Sequence, residues 1–532
     1  MTFISIGFIF FLLAAIVLFY ICPVKYRWIA LLVISIAFYA IAGVKYLPFI
    51  FVTSLTVYLC GRKMGKIYAL SDEDIKNNDY DRKEKKELKE KAKKKCKKFM
   101  LLALIFNVAI LCVVKYTKFF INPINDLIGF MGGKEGSFSA AMIIVPLGIS
   151  YYTFSSLSYL LDVYWKRVGY ENNYFRFLLY LIYFPHILQG PIERYGRLGA
   201  RLKGEFRFDY DRIVRGIQLL LWGYFKKLVI ADRIDVFITK AYADYRYAGA
   251  YVLAISILLD VVYIYADFSG CMDIARGVSQ IFGVELDLNF NHPFSSTSIV
   301  EFWRRWHMSL GGWFKDYVYY PVSTSNLVKA ISKNTRGKTS PRVSKMLISF
   351  FPVFCTWVLT GVWHGTGLPY VAWGLYYSFM IFMSITFEDD CKKLSKKLKL
   401  NTESTAFRWF QVARTTLIFA GGRLLTRPGS LIQSAVIVKK LFVNFDPWSI
   451  FNDHILDYGM DQKDIAVAAI AIFVFAVVAF LQKRGEVDVR DIIAEQHIVI
   501  RWAIWLLLLF SVIIVGVYGP GYAASSFVYM AY

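Results

Sequence analysis

MLISFFPVFCTWVLTGVWHG, residues 346–365, is the stretch on which the reading of this chain turns. From Met346 to Trp363 it carries no charged side chain, which is close to the ~20 residues needed to cross a hydrocarbon core of about 30 Å. It then places His364 inside the same apolar run. An ionisable group at bilayer depth is costly unless it faces a cavity or a partner, so His364 marks a functional site by default. Upstream, Arg304-Arg305-Trp306-His307 supplies a second histidine in a polar, aromatic context.

The chain around this stretch has the composition of a polytopic membrane protein. It is 57% hydrophobic, 18% aromatic and only 19% charged over 532 residues, with a mean hydropathy of +0.45. That is more apolar surface than a soluble core would bury. Apolar runs are expected as helical spans near 2–21, 27–44, 46–60, 99–120, 140–162, 212–230, 248–268, 346–364, 370–387, 407–421, 465–482 and 499–517. Shorter pieces at 174–189, 272–283 and 430–443 are expected to be re-entrant or interfacial helices. The first segment has no basic n-region and no small-residue cleavage site, so it reads as a retained span rather than a signal peptide.

Charge sets the orientation. Residues 62–98 hold 15 Lys and Arg against 8 Asp and Glu, and no charged side chain precedes Lys25. The positive-inside rule puts 62–98 in the cytoplasm and the N-terminus outside. A second tract, 322–345, with Lys329, Lys333, Arg336, Lys338, Arg342 and Lys345, and the cluster Lys392 to Lys399 are also expected to be cytoplasmic. Spans 346–364 and 370–387 then form a hairpin rooted there, with His364 near its far end. Of the two readings of 62–98, a solvated loop is preferred to a helical hairpin.

The net charge of +23 is carried by these loops, where it sets topology and meets anionic headgroups, and nucleic-acid binding is excluded on that ground. Seven scattered cysteines without paired spacing indicate neither a disulfide framework nor a thiolate metal site, and the dispersed histidines form no zinc motif. No repeat of solenoid length and no duplicated transporter halves stand out.

Three stretches interrupt the pattern of lipid-facing helices: 184–194 (FPHILQGPIER), 267–273 (DFSGCMD) and 289–294 (NFNHPF). Non-helical backbone at membrane depth is tolerated only where it is buried in protein or lines a wet cavity, so a funnel or tunnel is expected here. His186 and His292 sit beside proline-marked turns and are expected to brace them. His454 and His497 read as surface residues.

Taken in order, Glu301-Phe302-Trp303-Arg304-Arg305-Trp306-His307-Met308-Ser309-Leu310, Trp313-Phe314-Lys315-Asp316-Tyr317 and Gly361-Val362-Trp363-His364-Gly365 resemble the membrane-bound O-acyltransferase family. Val145 to Phe154, Gln189 to Arg194 and Asp267 to Gly270 support the likeness, which runs from about residue 100 to the C-terminus. Within the family the similarity is to the bacterial polysaccharide acetylases of the alginate O-acetyltransferase type, with teichoic acid D-alanyl transferases as cousins.

The resemblance implies an all-α polytopic helical bundle with re-entrant helices around a central tunnel. The chain would divide into N-terminal helices and a basic loop (1–98), a catalytic core (99–388) and C-terminal helices (389–532). It implies transfer of a short acyl group, acetyl in the preferred reading, from a cytoplasmic thioester such as acetyl-CoA, with no bound cofactor and no metal. The acceptor would be a cell-envelope or secreted polysaccharide reached from the other face of a bacterial cytoplasmic membrane, with an extracytoplasmic acyltransferase as partner. His364 corresponds to the essential tunnel histidine and His307 to the one nearer the cytoplasm.

A neutral imidazole, with an ordinary pKa near about 6.5, can take the proton of an attacking alcohol. Arg304, Arg305 and Lys315 fit either the phosphates of coenzyme A or headgroup snorkelling. Trp306, Trp363, Asp316, Gln189, Glu193, Arg194, Asp267 and Ser269 complete the expected donor or tunnel lining.

The terminal Phe527-Val528-Tyr529-Met530-Ala531-Tyr532 is similar to the aromatic hexapeptide of this branch, in which Tyr529 would relay the acyl group or, read plainly, belong to an interfacial aromatic belt. Two alternatives stand beside the acetylase reading: a D-alanyl transferase fed by an acyl-carrier protein, for whose acidic surface the basic loops would serve, and a transporter or flippase with a polar substrate path.

Overall fold

The computed structural model describes residues 2–130, 145–443, 453–485 and 487–518, and over these it is helical throughout, with no strand among the described residues. Seven segments are long and apolar enough to cross a membrane: Val24–Asn77, Arg82–Thr117, Ala250–Ile281, Pro341–His364, Leu368–Lys397, Gln462–Gly485 and Ile498–Val515. The remaining expected spans fall on the helices Ile6–Ile21, Ile149–Tyr164, Tyr210–Tyr224 with its continuation to Ala231, and Thr405–Thr426.

Three expectations are corrected. The basic stretch 62–98 is not a loop: it forms the facing ends of the helices Leu47–Asn77 and Arg82–Phe130. Lys and Glu are good helix formers, and the turn is closed by a capping box in which the Asp81 amide donates to Glu84 Oε2 (2.9 Å) and the Glu84 amide to Asp81 Oδ1 (2.6 Å). The stretch 267–273 does not break the helix, and 272–283 is no separate piece. Both belong to one helix, Ala250–Ile281, because its carboxylates are answered by lysines on the neighbouring chain run.

Packing divides the chain into two units, residues 1–216 with 278–287, and residues 217–277 with 288–532. In the first, Phe8, Phe38, Phe184 and Phe282 are fully buried, Phe184 meeting Phe38 and Phe282 ring to ring at 5.6 and 5.5 Å. Close approach is set by Gly65, where a Cβ would fall 2.1 Å from the Tyr170 ring. Arg27, 7% exposed, is satisfied by backbone carbonyls of Cys22, Tyr20 and Phe206.

The second unit is built on charge. Lys227, with 0% of its side chain exposed, lies 2.7 Å from Asp267 and 2.8 Å from Asp232. It sits where the chain widens to π geometry over Phe225–Ala231, and the crossing with Ala250–Ile281 is tight because both sides carry glycine. A Cβ on Gly223 would lie 2.7 Å from the Gly270 carbonyl, and one on Gly270 2.9 Å from the Gly223 carbonyl. Asp260, in the same helix, holds Arg423 at 2.8 and 3.0 Å.

Breaking one side of a buried pair leaves an uncompensated charge, at a cost of about 3–5 kcal/mol. Lys227→Ala should therefore abolish recovery of monodisperse protein in detergent, measured by size-exclusion chromatography. The combined Lys227→Met, Asp232→Asn, Asp267→Asn chain should recover a substantial part of it.

Candidate functional site

His364 is the last residue of the helix Pro341–His364, which turns back into Leu368–Lys397. The hairpin closes on glycines: a Cβ on Gly361 would meet the Tyr370 carbonyl at 2.4 Å and Gly374 Cα at 3.1 Å, and one on Gly365 would enter the Tyr370 ring at 2.1 Å. Large residues at these three positions would push the two helices apart, as small-residue contacts between membrane helices require. The closure sets the His364 imidazole, 7% exposed, edge to face between Trp363 (4.8 Å) and Trp373 (5.0 Å).

His307 arrives differently. It joins the short helices Ile299–Arg305 and Met308–Phe314 with φ 45° and ψ 54°, a left-handed conformation that costs a non-glycine residue of order 1–3 kcal/mol. The conformation is held by Asn289. Its backbone carbonyl accepts from the Met308 amide (2.9 Å). Its side-chain Oδ1 accepts from the Ser309 amide (3.0 Å) and hydroxyl (2.9 Å) and lies 3.2 Å from His307 Nδ1. Because an amide oxygen only accepts, Nδ1 carries the proton and Nε2 keeps its lone pair. Phe268 packs edge-on against the ring at 4.8 Å. Burial pushes the imidazole down to about 3, so it is neutral at physiological pH.

The two histidines line one cavity of about 750 Å³. Its walls are aromatic, including Trp303, Trp306, Trp357, Trp373 and Phe419, and its other polar lining includes Arg304, Lys315, Thr360 and Arg423. Trp363 is in ring contact with both imidazoles, 6.3 Å from His307 and 4.8 Å from His364. An aromatic chamber with two imidazoles and cations among its lining residues suits proton abstraction from an alcohol beside an electrophile.

The remaining sequence candidates are dispersed. Arg305, held to Glu301 at 2.9 Å, and Ser269, which accepts from Lys226 Nζ at 3.0 Å, line a second cavity of the same unit. Asp267 is committed to Lys227. Asp316 is half-buried in the π turn Lys315–Tyr319 and does not line either cavity. Gln189, Glu193 and Arg194 belong to the first unit. Tyr529 lies outside the described residues. Of the other histidines, His186 is buried with Nε2 3.0 Å from the Tyr180 carbonyl, bracing its turn as expected, and His497 is an exposed cap on Ile498–Val515. Sequence reasoning passed over Asn289 and Arg423. Arg423, which follows the apolar run of its own helix, was open to the argument that singled out His364; nothing local distinguished Asn289 from a turn residue.

These features define an all-helical multi-pass membrane protein whose buried imidazoles converge on an aromatic chamber. Residues 166–336 match the MBOAT, membrane-bound O-acyltransferase family. The chain is 27% identical over 471 residues to a probable alginate O-acetylase AlgI of Pseudomonas syringae pv. tomato, covering 88% of this chain and 80% of that protein. It is 28% identical to a peptidoglycan O-acetyltransferase of Helicobacter pylori over 65% and 62% of the two chains. Against a teichoic acid D-alanyltransferase of Bacillus subtilis it is 31% identical over 52% and 65%. The chain is similar to the membrane-bound O-acyltransferases, by the family match over residues 166–336 and by its likeness to an O-acetylase over 88% of its length, and these likenesses favour acyl transfer over the transporter reading.

Glu193 gives the first unit a pH signature. The side chain is 1% exposed, its Oε1 accepts from the Asp287 amide at 2.7 Å, and burial followed by the charge of Asp287 pushes its carboxyl up to about 7. Between its ordinary value near 4.5 and 7 the folded chain keeps a proton that the unfolded chain has lost, so stability falls as pH rises through this window. Glu193→Gln, which retains the acceptor oxygen, should raise the melting temperature at pH 8 and leave it nearly unchanged at pH 4.5, read by thermal unfolding in detergent.

Proposed function

We propose that this acyltransferase moves a short acyl group, acetyl in the first instance, from a cytoplasmic thioester to a hydroxyl of a cell-envelope or secreted polysaccharide on the far side of the bacterial cytoplasmic membrane. The observation that carries the reading is the pair of buried imidazoles, His307 and His364, lining one aromatic chamber. The acetylase relatives, one of which is aligned over most of its length, favour acetyl as the group and a polysaccharide as acceptor.

In this mechanism His364 takes the proton of the attacking hydroxyl as its oxygen bonds to the thioester carbonyl, and the thiol leaves with a proton. The tryptophans around it keep water from competing for the acyl group. His307, held neutral by burial, orients the donor end of the chamber, and Asn289 fixes its tautomer. Arg304 and Lys315, both exposed and both lining the chamber, are suited to the donor's phosphates. The basic ends of the helices around 62–98, together with the tract 322–345, face the cytoplasm in this orientation. Tyr529 is a candidate acyl relay to an extracytoplasmic partner, since a phenol oxygen activated by a base can carry an ester.

A D-alanyl reading is favoured by one observation, the 31% identity to the Bacillus subtilis enzyme. Purified protein offered acetyl-CoA or a D-alanyl-charged carrier protein separates the two by which donor is consumed.

His364→Ala should lower acyl transfer by about 10²–10⁴-fold, the usual contribution of a positioned base, with the protein still folded, and mass spectrometry of envelope glycans should show one ester missing. An unchanged ester profile would sink the proposal. Asn289→Ala should lower kcat about tenfold or more with little change in KM, because it unfixes the His307 ring without removing a donor contact. Removal of residues 527–532 should stop polymer acylation while leaving thioester binding intact; unaltered acylation would remove the relay alone.

A further inference from the structure

The second unit contains another cavity, of about 1050 Å³, that shares no lining residue with the histidine chamber. We propose that it holds one anionic phospholipid, with its phosphate on Lys483, Arg490 and Arg276 and its acyl chains against the helices Gln462–Gly485 and Ile498–Val515. The proposal goes beyond acyl transfer and does not depend on which group or polymer is involved.

The apolar part of the cavity is built at helical spacing. Val467, Ile470, Val474 and Val478 line it from one helix and Ile504, Leu508, Ser511 and Val515 from the other. From Val467 to Lys483 the first helix rises about 24 Å, most of the depth of a hydrocarbon core of about 30 Å. The two helices bury few of their own side chains, Ala468 and Ala471 in one and Val512 in the other, and are tied to the unit at Asp464 and Val515, both bonded to Arg233.

The polar part carries an excess of positive charge. Lys226, Arg276, Arg305, Lys483 and Arg490 line it with Asp273 and Asp488; Asp273 is held by Lys226 (2.6 Å) and Arg276 (3.7 Å), Asp488 by Arg490 (2.5 Å) and Glu301 by Arg305 (2.9 Å), so five cations face three carboxylates. Burial, and after it the like charges of Lys483 and Arg305, hold the His292 imidazole below its ordinary value. Of the other occupants, water would not wet the stripe, a free anion gains nothing from it, and a peptide would leave backbone groups unsatisfied in hydrocarbon. An anionic amphiphile satisfies both, since each Lys or Arg near an acidic headgroup attracts it and the tails fill the apolar slot.

The test uses the full chain in nanodiscs of phosphatidylcholine with and without phosphatidylglycerol, with bound lipid read by native mass spectrometry. One phosphatidylglycerol per chain should be retained in preference to phosphatidylcholine. Lys483→Gln with Arg490→Gln should weaken retention on the order of tenfold or more. Val474→Trp, which fills the slot and keeps every cation, should weaken it comparably and serves alone if the charge variant does not fold. Inorganic phosphate should not displace the lipid. The proposal is overturned by equal retention of the two lipids, by undiminished retention in Val474→Trp or in a folded charge variant, or by displacement with phosphate. Displacement by acetyl-CoA would equally overturn it, assigning the cavity to the thioester.

Discussion

The ion cluster around Lys227 is the constraint on which the second unit depends. An ammonium with no exposed side-chain surface between Asp267 and Asp232 cannot be released to lipid, so the π-widened run Phe225–Ala231 and the helix Ala250–Ile281 are fixed in register wherever these groups meet. The glycines at 223 and 270 are the steric counterpart of that electrostatic lock, since the lysine reaches its partners only if the two backbones come within contact distance. Fixing the helix fixes Asp260, and with it Arg423, which lines the histidine chamber. It also fixes Phe268, whose ring abuts His307. One wall of the chamber is therefore set by ion pairs that take no part in its chemistry.

The two histidines are positioned by unlike means. His364 stands at the end of a long helix whose placement follows from a glycine-lined hairpin, so its position is a matter of helix packing. His307 stands in a strained turn that would relax without Asn289, so its position is a matter of hydrogen bonding. The first arrangement tolerates little side-chain bulk at 361, 365 and 374; the second tolerates little change in polarity at 289.

Much of this was legible in the chain. The apolar runs gave the helices, and the cost of a buried imidazole singled out His364 before any geometry was known. What was not legible has physical reasons. Residues 62–98 look solvated by charge alone, yet Lys and Glu stabilise helices, and the decisive signal was the Asp81/Glu84 cap. Asp267-Phe268-Ser269-Gly270 looks like a break because its carboxylate and glycine are read one at a time. The lysine that neutralises the first and the glycine that receives the second are some forty residues away in sequence, so no local pattern reveals that the helix continues. Asn289 was missed for the same reason: its function lies in a contact with residues 307–309.

Asn289 also has a position that follows from neither histidine. It lines the second cavity while its Oδ1 holds His307, which lines the first. Around this pair Tyr265 and Phe290 on one side face Trp306 on the other, at 5.9 and 5.0 Å between rings, so the partition between the cavities is aromatic where these rings meet and polar where Asn289 bonds His307, Met308 and Ser309. An aromatic wall insulates one space from the other. The amide does the opposite, since a shift of the backbone at 289–291, which is bonded to 305–308 through the Asn291 amide and the Arg305 carbonyl at 2.9 Å, must be felt at the His307 ring. Whatever fills the second cavity therefore bears on the orientation of a residue in the first, through the hydrogen bonds that join 289–291 to 305–309.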